Sequence, residues 1–269
     1  MTDEIDRLCV ALGLTPSPAQ SRNLLKYLDL LLHWNATYNL TAVRERPAML
    51  TQHLADCLAV VRPVQCVAAL GACRTWGVDS EKRPQRGQFL PDLQAHSPAM
   101  GQKAGEKWTA EAVSQPTIPK SDRLLGRLLD VGSGGGLPGV LLAIMLPALE
   151  VTCVDSVGKK AAFIRQAAAT LGLQNLHAAH ARVEALAVTP FDLITSRAFA
   201  SLTDFTNLSR NLLAPGACWM AMKGKRPDAE IAALPPGIEV FHVEPLLVPG
   251  LDAERCLVWM RLSTQPTPS

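Results

Sequence analysis

Two textures of apolar spacing divide the chain. From Asp3 to about Arg62 the apolar positions recur in helical steps, with Leu24, Leu25, Leu28, Leu31 and Leu32 three and four residues apart behind a start signal at Ser17-Pro18. A further helix is expected from Pro47. From about Leu128 onward, short apolar runs alternate with helical stretches, the pattern of a parallel α/β sheet. Seven runs read as strands: Leu128 to Val131, Val151 to Val154, Leu176 to Ala179, Phe191 to Ser196, Cys218 to Met222, Ile238 to Val243 and Cys256 to Arg261. Pro215-Gly216 predicts a turn into the fifth, and the Pro/Gly loop between the last two predicts an antiparallel hairpin. Between the textures, from Val64 to Arg127, residues such as Pro84, Gly87, Pro91, Pro98, Gly101, Pro116 and Pro119 break every period. The expected organisation is a helical region over 1–63, a polar and unordered insertion over 64–127, an α/β domain over 128–263 and a flexible tail over 264–269.

The first predicted strand runs into Asp130-Val131-Gly132-Ser133-Gly134-Gly135-Gly136-Leu137-Pro138-Gly139. A strand, a glycine turn and a helix start in that order make a nucleotide-cofactor loop. Gly134-x-Gly136-x-x-Gly139 satisfies the dinucleotide fingerprint literally, so the glycines alone do not choose the cofactor. Asp130 does. A carboxylate at the strand end crowds a pyrophosphate but suits the ammonium of a methionine moiety, directly or through water, which points to S-adenosylmethionine over NAD. Asp155 closes the second predicted strand, where a carboxylate meets ribose hydroxyls in either case; its other reading is an N-cap for the helix near Val157.

Composition narrows the class. The 269 residues carry 48% apolar side chains and a formal charge of +2, so the chain reads as globular with no polybasic arm. The seven cysteines include no C-x-x-C pair and read as reduced thiols, with no metal expected. The N-terminus lacks a basic leader and no apolar run is long enough to span a membrane, so a cytoplasmic protein is expected. His53 and Asp56, three residues apart, are expected to be a packed, hydrogen-bonded pair.

Several motifs in sequence order carry a family resemblance: Trp34-Asn35-x-x-Tyr38-Asn39-Leu40-Thr41, His53-x-x-Asp56, the glycine loop, Asp155-Ser156-x-x-Lys159-Lys160, Arg182-Val183-Glu184, Ser196-Arg197-Ala198-Phe199 and Lys223-Gly224. The chain resembles the family of bacterial 16S rRNA guanine-N7 methyltransferases, RsmG, also called GidB or glucose-inhibited division protein B. The resemblance implies a class I S-adenosylmethionine-dependent methyltransferase fold, a Rossmann-like seven-stranded sheet with an N-terminal helical extension. It implies methylation of N7 of guanine 527 in the 530 loop of 16S rRNA, hence a role in rRNA processing with the small ribosomal subunit as partner. A monomer is expected. The family's cofactor contacts fall on Gly132, Leu137, Val183, Glu184 and Arg197, and the insertion inherits nothing from it.

These residues suit the implied chemistry. Guanine N7 has an in-plane lone pair and no proton to lose, so no catalytic base is expected. No Asn-Pro-Pro-Tyr-type motif follows the fourth strand, and no cysteine is placed for covalent cytosine chemistry. Arg197 ends the fourth strand beside the topological switch point and is expected to clamp the methionine carboxylate or orient the guanine. RNA contact is expected from Arg44 and Arg46, behind a Trp34/Tyr38 pair that packs the helices onto the sheet, and from Lys223 at the end of the fifth strand. Lys159 and Lys160 are weaker candidates, as are Trp76, Trp108 and the basic residues of the insertion. A methyltransferase with another substrate, a cofactor-binding regulator and an NAD-dependent oxidoreductase remain as alternatives.

Overall fold

The helical region forms because its start is capped and its apolar stripe is covered. In the computed structural model, which describes residues 3–70, 126–197, 199 and 201–263, α1 (Asp3–Ala11) leads to α2 (Pro18–Tyr38). Ser17 and Gln20 close a reciprocal capping box, and Asn39 ends the helix in the left-handed conformation at φ 49°. The stripe Leu24, Tyr27, Leu28 and Leu31 is fully buried. The helix expected at Pro47 starts one residue earlier as α3 (Arg46–Met49), runs through a π-helical turn (Leu50–Ala55) and continues as α4 (Asp56–Leu58). Then α5 (Val61–Leu70) carries regular helix past the expected boundary at Val64. Val61, Val64 and Val67, three residues apart, bury one face there and hold the turns together, so polar composition misplaced the start of the insertion. The rest of the expected insertion lies outside the described residues from 71 to 125, as does the tail from 264, and with them Trp76 and Trp108.

All seven expected strands are present: β1 (Arg127–Val131), β2 (Glu150–Asp155), β3 (Leu176–His180), β4 (Phe191–Ser196), β5 (Leu213–Lys223), β6 (Ile238–Pro245) and β7 (Cys256–Leu262). Their order in the sheet is β3-β2-β1-β4-β5-β7-β6. The first five are parallel, and β7 pairs antiparallel with both β5 and β6, as the hairpin requires. β5 begins earlier than expected: Pro215-Gly216 lies inside it, in a register shift against β4, rather than in a turn ahead of it. Gly216 at φ 74° takes the backbone through that bulge.

Strand alternation splits the core into two layers. Leu128 faces a cluster built with α6 (Gly139–Met145), α7 (Gly158–Leu171) and the N-terminal helices; Leu129 and Val131 face a second, built with α8 (Leu202–Ser209) and α9 (Asp228–Ala232). Trp34 meets Phe163 of α7 in a tilted pair at 5.5 Å and Tyr38 at 5.0 Å, so the aromatic pair packs α2 against α7 rather than directly onto the sheet as expected. The switch in strand order falls between β1 and β4, and open α/β sheets bind their ligands in the crevice outside the carboxyl ends of the strands at such a point. Cys9, Cys57, Cys66, Cys153 and Cys256 are free thiols, and Cys73 lies outside the described residues.

Candidate functional site

The glycine loop is wired to the two carboxylates that the sequence singled out. Asp130 points to the α6 side of β1 and is fully buried. Its Oδ2 accepts the Gly139 N–H at 2.9 Å, and a Cβ on Gly139 would stand 2.8 Å from that oxygen, so only glycine fits. Its Oδ1 is buried with no hydrogen-bond partner. Burial raises the Asp130 carboxyl to about 7, against the opposing pull of the Gly139 N–H and of Arg197. A buried acceptor without a partner costs about 1–3 kcal/mol, so this oxygen is an unmet demand for a donor. Gly132, at φ 69°, turns the chain out of β1 beside it.

Asp155 reaches the loop from β2. Its Oδ2 accepts the Gly134 N–H at 3.0 Å and stands 3.7 Å from Lys160 Nζ, while Oδ1 accepts the Val157 N–H at 2.9 Å. The N-cap reading of Asp155 is not met: the cap of α7 is Val157, with no side-chain capping bond, and Asp155 instead closes a turn onto the Val157 N–H ahead of the helix. Lys160 is drawn to this carboxylate, and Lys159 stays on the exposed face of α7.

Tyr27 belongs to this site, and its spacing gave no sign of it. Its hydroxyl donates to the Gly135 carbonyl at 2.5 Å, and Leu31 lies so close that a Cβ on Gly135 would stand 2.9 Å from it. The N-terminal helix thus forms the back wall of the glycine loop. As a sequence feature, Tyr27 is one more apolar position on a leucine stripe.

The remaining cofactor candidates divide. Leu137 is buried against the first core layer, and Val183 is buried in the 3-10 turn Val183–Ala185 that follows β3. Glu184 is exposed and stands 3.7 Å from Arg182, a surface pair of little energetic weight. Val183 and Glu184 also line an open groove of about 760 Å³ beside α8, but that groove runs down to Arg127 at the far end of β1. It lacks the two carboxylates and the glycine turn.

Arg197, one residue past β4, is not a solvated surface arginine; its side chain is 26% exposed. Its Nη1 lies 3.3 Å from Asp56 Oδ2, 3.4 Å from both the Gln52 carbonyl and His53 Nδ1, and 3.6 Å from Cys57 Sγ. His53 and Asp56 are buried as expected, yet each turns to Arg197. His53 Nε2 sits 2.5 Å from Thr41 Oγ1. Burial first, and the Arg197 charge second, hold its pKa below 6.5, so it is a neutral ring. Its Nδ1 lies 3.0 Å from the Gln52 carbonyl, so the tautomer that donates Nδ1–H there accepts at Nε2 from the Thr41 hydroxyl. Burial pushes the Cys57 thiol up to about 12, which leaves it protonated and inert.

The RNA candidates are dispersed. Arg44 donates to Asn39 Oδ1 at 3.2 Å and Arg46 pairs with Asp29 at 3.2 Å, both exposed. Lys223 is mostly enclosed: its ammonium meets both Glu230 oxygens, at 3.1 and 2.8 Å, and the Phe199 carbonyl at 3.3 Å. Glu230 also accepts the first N–H of α8, from Leu202. The pair thus braces the segment between β4 and α8.

The sequence profile described as rRNA small subunit methyltransferase G matches residues 20–69 and 108–258, with its break inside the expected insertion. The chain is 51% identical over 251 residues to "Ribosomal RNA small subunit methyltransferase G" of Acidovorax sp. (strain JS42), covering 93% of this chain and 91% of that protein. It is 49% identical over 251 residues to the protein of the same name from Leptothrix cholodnii, with the same shares covered. Among solved structures, TrmN from Thermus thermophilus is 23% identical and superposes with a TM-score of 0.43 over 51% of this chain and 44% of its own.

Proposed function

The chain belongs to the rRNA small subunit methyltransferase G family, and from that premise we propose that it methylates N7 of guanine 527 in the 530 loop of 16S rRNA with S-adenosylmethionine. The observation that carries the cofactor is the buried, unpartnered Oδ1 of Asp130 at the switch point between β1 and β4. It fits the ammonium of the methionine moiety. Asp155, whose oxygens each keep a lone pair beyond their backbone partners, takes the ribose hydroxyls. Gly132 lets the backbone approach, Leu137 supplies an apolar wall, and Val183 with Glu184 borders the adenine.

The cofactor supplies an electrophilic methyl on a sulfonium. Bound there, it would offer that methyl to the N7 lone pair, a transfer that calls for no proton to be moved by a residue of this chain. Catalysis here is alignment in a shaped site. Arg197, held at the crevice edge by its cradle, orients the methionine carboxylate or the guanine with its planar fork of donors. N7 lies on the major-groove edge of the base, so a structured RNA must expose its guanine before the methyl can reach it.

Arg44 and Arg46 are the proposed RNA contacts. Lys223, spent on Glu230, serves the loop that carries Arg197 and reaches phosphate only if that pair opens. No helix among the described residues is long and apolar enough to cross a membrane; a cytoplasmic location, which the proposed ribosomal substrate supports, and a monomer are part of the proposal. The test is transfer of labelled methyl from S-adenosylmethionine into 30S subunits, naked 16S rRNA and 50S subunits, with N7-dependent strand scission to locate the base. Label in 16S rRNA at one guanine is expected. Cofactor binding with no label in ribosomal RNA would leave the regulator alternative instead.

A further inference from the structure

The cradle around Arg197 has a centre, and it comes from the opposite end of the chain. Asp56 is 4% exposed and holds two guanidinium groups: Arg197 through Oδ2 at 3.3 Å and, through Oδ1 at 3.0 Å, the Nε of Arg255 at the foot of β7. Resting on the proposed methyl transfer, we propose that Asp56 is the positioning residue that aims Arg197 into the crevice, with Arg255 fixing Asp56 in turn. The argument is geometric. Arg197 follows β4 immediately, so its Cα is fixed by the sheet, but a long arginine side chain has many rotamers to choose among. One direction is selected because a buried carboxylate is tolerable only when paired, and here it has exactly placed partners on both oxygens.

The backbone that delivers Asp56 is itself specialised. The π-helical turn Leu50–Ala55 brings the Gln52 carbonyl, His53 Nδ1 and Asp56 Oδ2 to one guanidinium nitrogen, and single π turns of this kind recur at functional sites. His53, whose Nδ1 meets the Gln52 carbonyl at 3.0 Å, lies beside the guanidinium as a neutral ring without the repulsion a charged one would add. Nearly all of the cradle falls on Nη1, so the rest of the planar fork retains donor capacity for a carboxylate or a base edge. The helical extension therefore supplies half of the geometry of a reactive residue carried by the sheet.

A double-mutant cycle decides this. Asp56→Asn, Arg197→Gln and the double variant are compared for S-adenosylhomocysteine affinity by calorimetry, for kcat and KM of methyl transfer into 16S rRNA, and for Tm. If Asp56 acts through Arg197, Asp56→Asn lowers kcat about 10- to 100-fold with RNA KM within about threefold, since a misplacement of about 1 Å costs that much. The double variant is then no worse than Arg197→Gln alone, within about twofold. Losses that multiply, or a lower Tm with kcat intact, overturn the proposal. Should Asp56→Asn fail to fold, Asp56→Glu keeps the charge and moves it by one methylene: kcat falls if direction matters and survives if only charge balance does. A wild type that labels no ribosomal RNA sinks the proposed function, and the calorimetric cycle still decides the coupling.

Discussion

The two halves of the crevice are built differently. On the proposed cofactor half, Asp130, Asp155 and Tyr27 are buried, and apart from the orphaned Oδ1 of Asp130 their polar atoms are tied to backbone at 2.5–3.0 Å. On the RNA half, Arg44 and Arg46 stand exposed and meet one acceptor each. A small cofactor has one shape, so its site is prebuilt and its cost is carried by the fold; a ribosomal loop is recognised by long-range charge and adaptable side chains. The cradle of Arg197 joins the two.

That contrast predicts a hierarchy of effects. The largest falls at the junction: Arg197→Ala removes the fork and leaves Asp56 buried with only Arg255. Activity, read as kcat/KM for methyl transfer, is expected to fall about 1,000-fold, the scale of deleting a preorganised electrostatic group. A loss under tenfold would mean that Arg197 merely packs.

Next comes Asp130→Asn, which trades stability against binding. The folded pKa of Asp130 is raised by burial to about 7 from 3.8, so its favourable contribution is complete below the unfolded value and is lost as pH rises through 7. Asn cannot ionise. It is expected to stabilise the free protein at pH 8 by about 2–4 kcal/mol, an advantage that shrinks as pH falls from 7 toward 4. Cofactor affinity should drop about 30-fold at pH 8, and in the wild type it should weaken below pH 7 as Asp130 takes up a proton. Calorimetry and pH-resolved melting check both. A variant that melts lower at pH 8 would show that the orphaned oxygen is not a burden.

The same contrast explains what the sequence disclosed. All seven strands and the glycine loop were legible because strand ends, turns and carboxylates obey local rules: period, φ and spacing. Asp130 and Asp155 were legible for that reason. Tyr27 was not, because its partner, the Gly135 carbonyl, lies 108 residues away and nothing local marks a core tyrosine as a loop support. Asp56 was read as half of a pair with His53, since helical spacing shows which side chains share a face and not which distant arginine they will meet. Lys223 looked like a free cation for the same reason; Glu230 lies seven residues on, across a turn that spacing does not resolve. The end of the helical region at Val64 was misplaced because proline and glycine further on outweighed three well-spaced valines.

A smaller effect tests whether the back wall matters. Tyr27→Phe deletes the hydroxyl and leaves the Gly135 carbonyl without that donor, at about 1–3 kcal/mol of stability. Cofactor affinity should fall by about threefold, since the loop loses one anchor and keeps Asp130 and Asp155. If Tm falls and affinity stays put, Tyr27 supports the fold alone.

The smallest effect on stability belongs to the proposed RNA half. In each arginine the existing partner is an exposed side chain, and such pairs are worth under about 1 kcal/mol, so RNA phosphate can displace them at little cost. Removing both by Arg44→Ala and Arg46→Ala should raise RNA KM about tenfold at low salt and reduce the slope of log affinity against log salt by about 2, with S-adenosylhomocysteine affinity unchanged. The salt slope is the sharper reading. A tenfold KM change with an unaltered slope would mean that the arginines shape the loop around Asn39 rather than touch phosphate, and the RNA half would then be as prebuilt as the cofactor half.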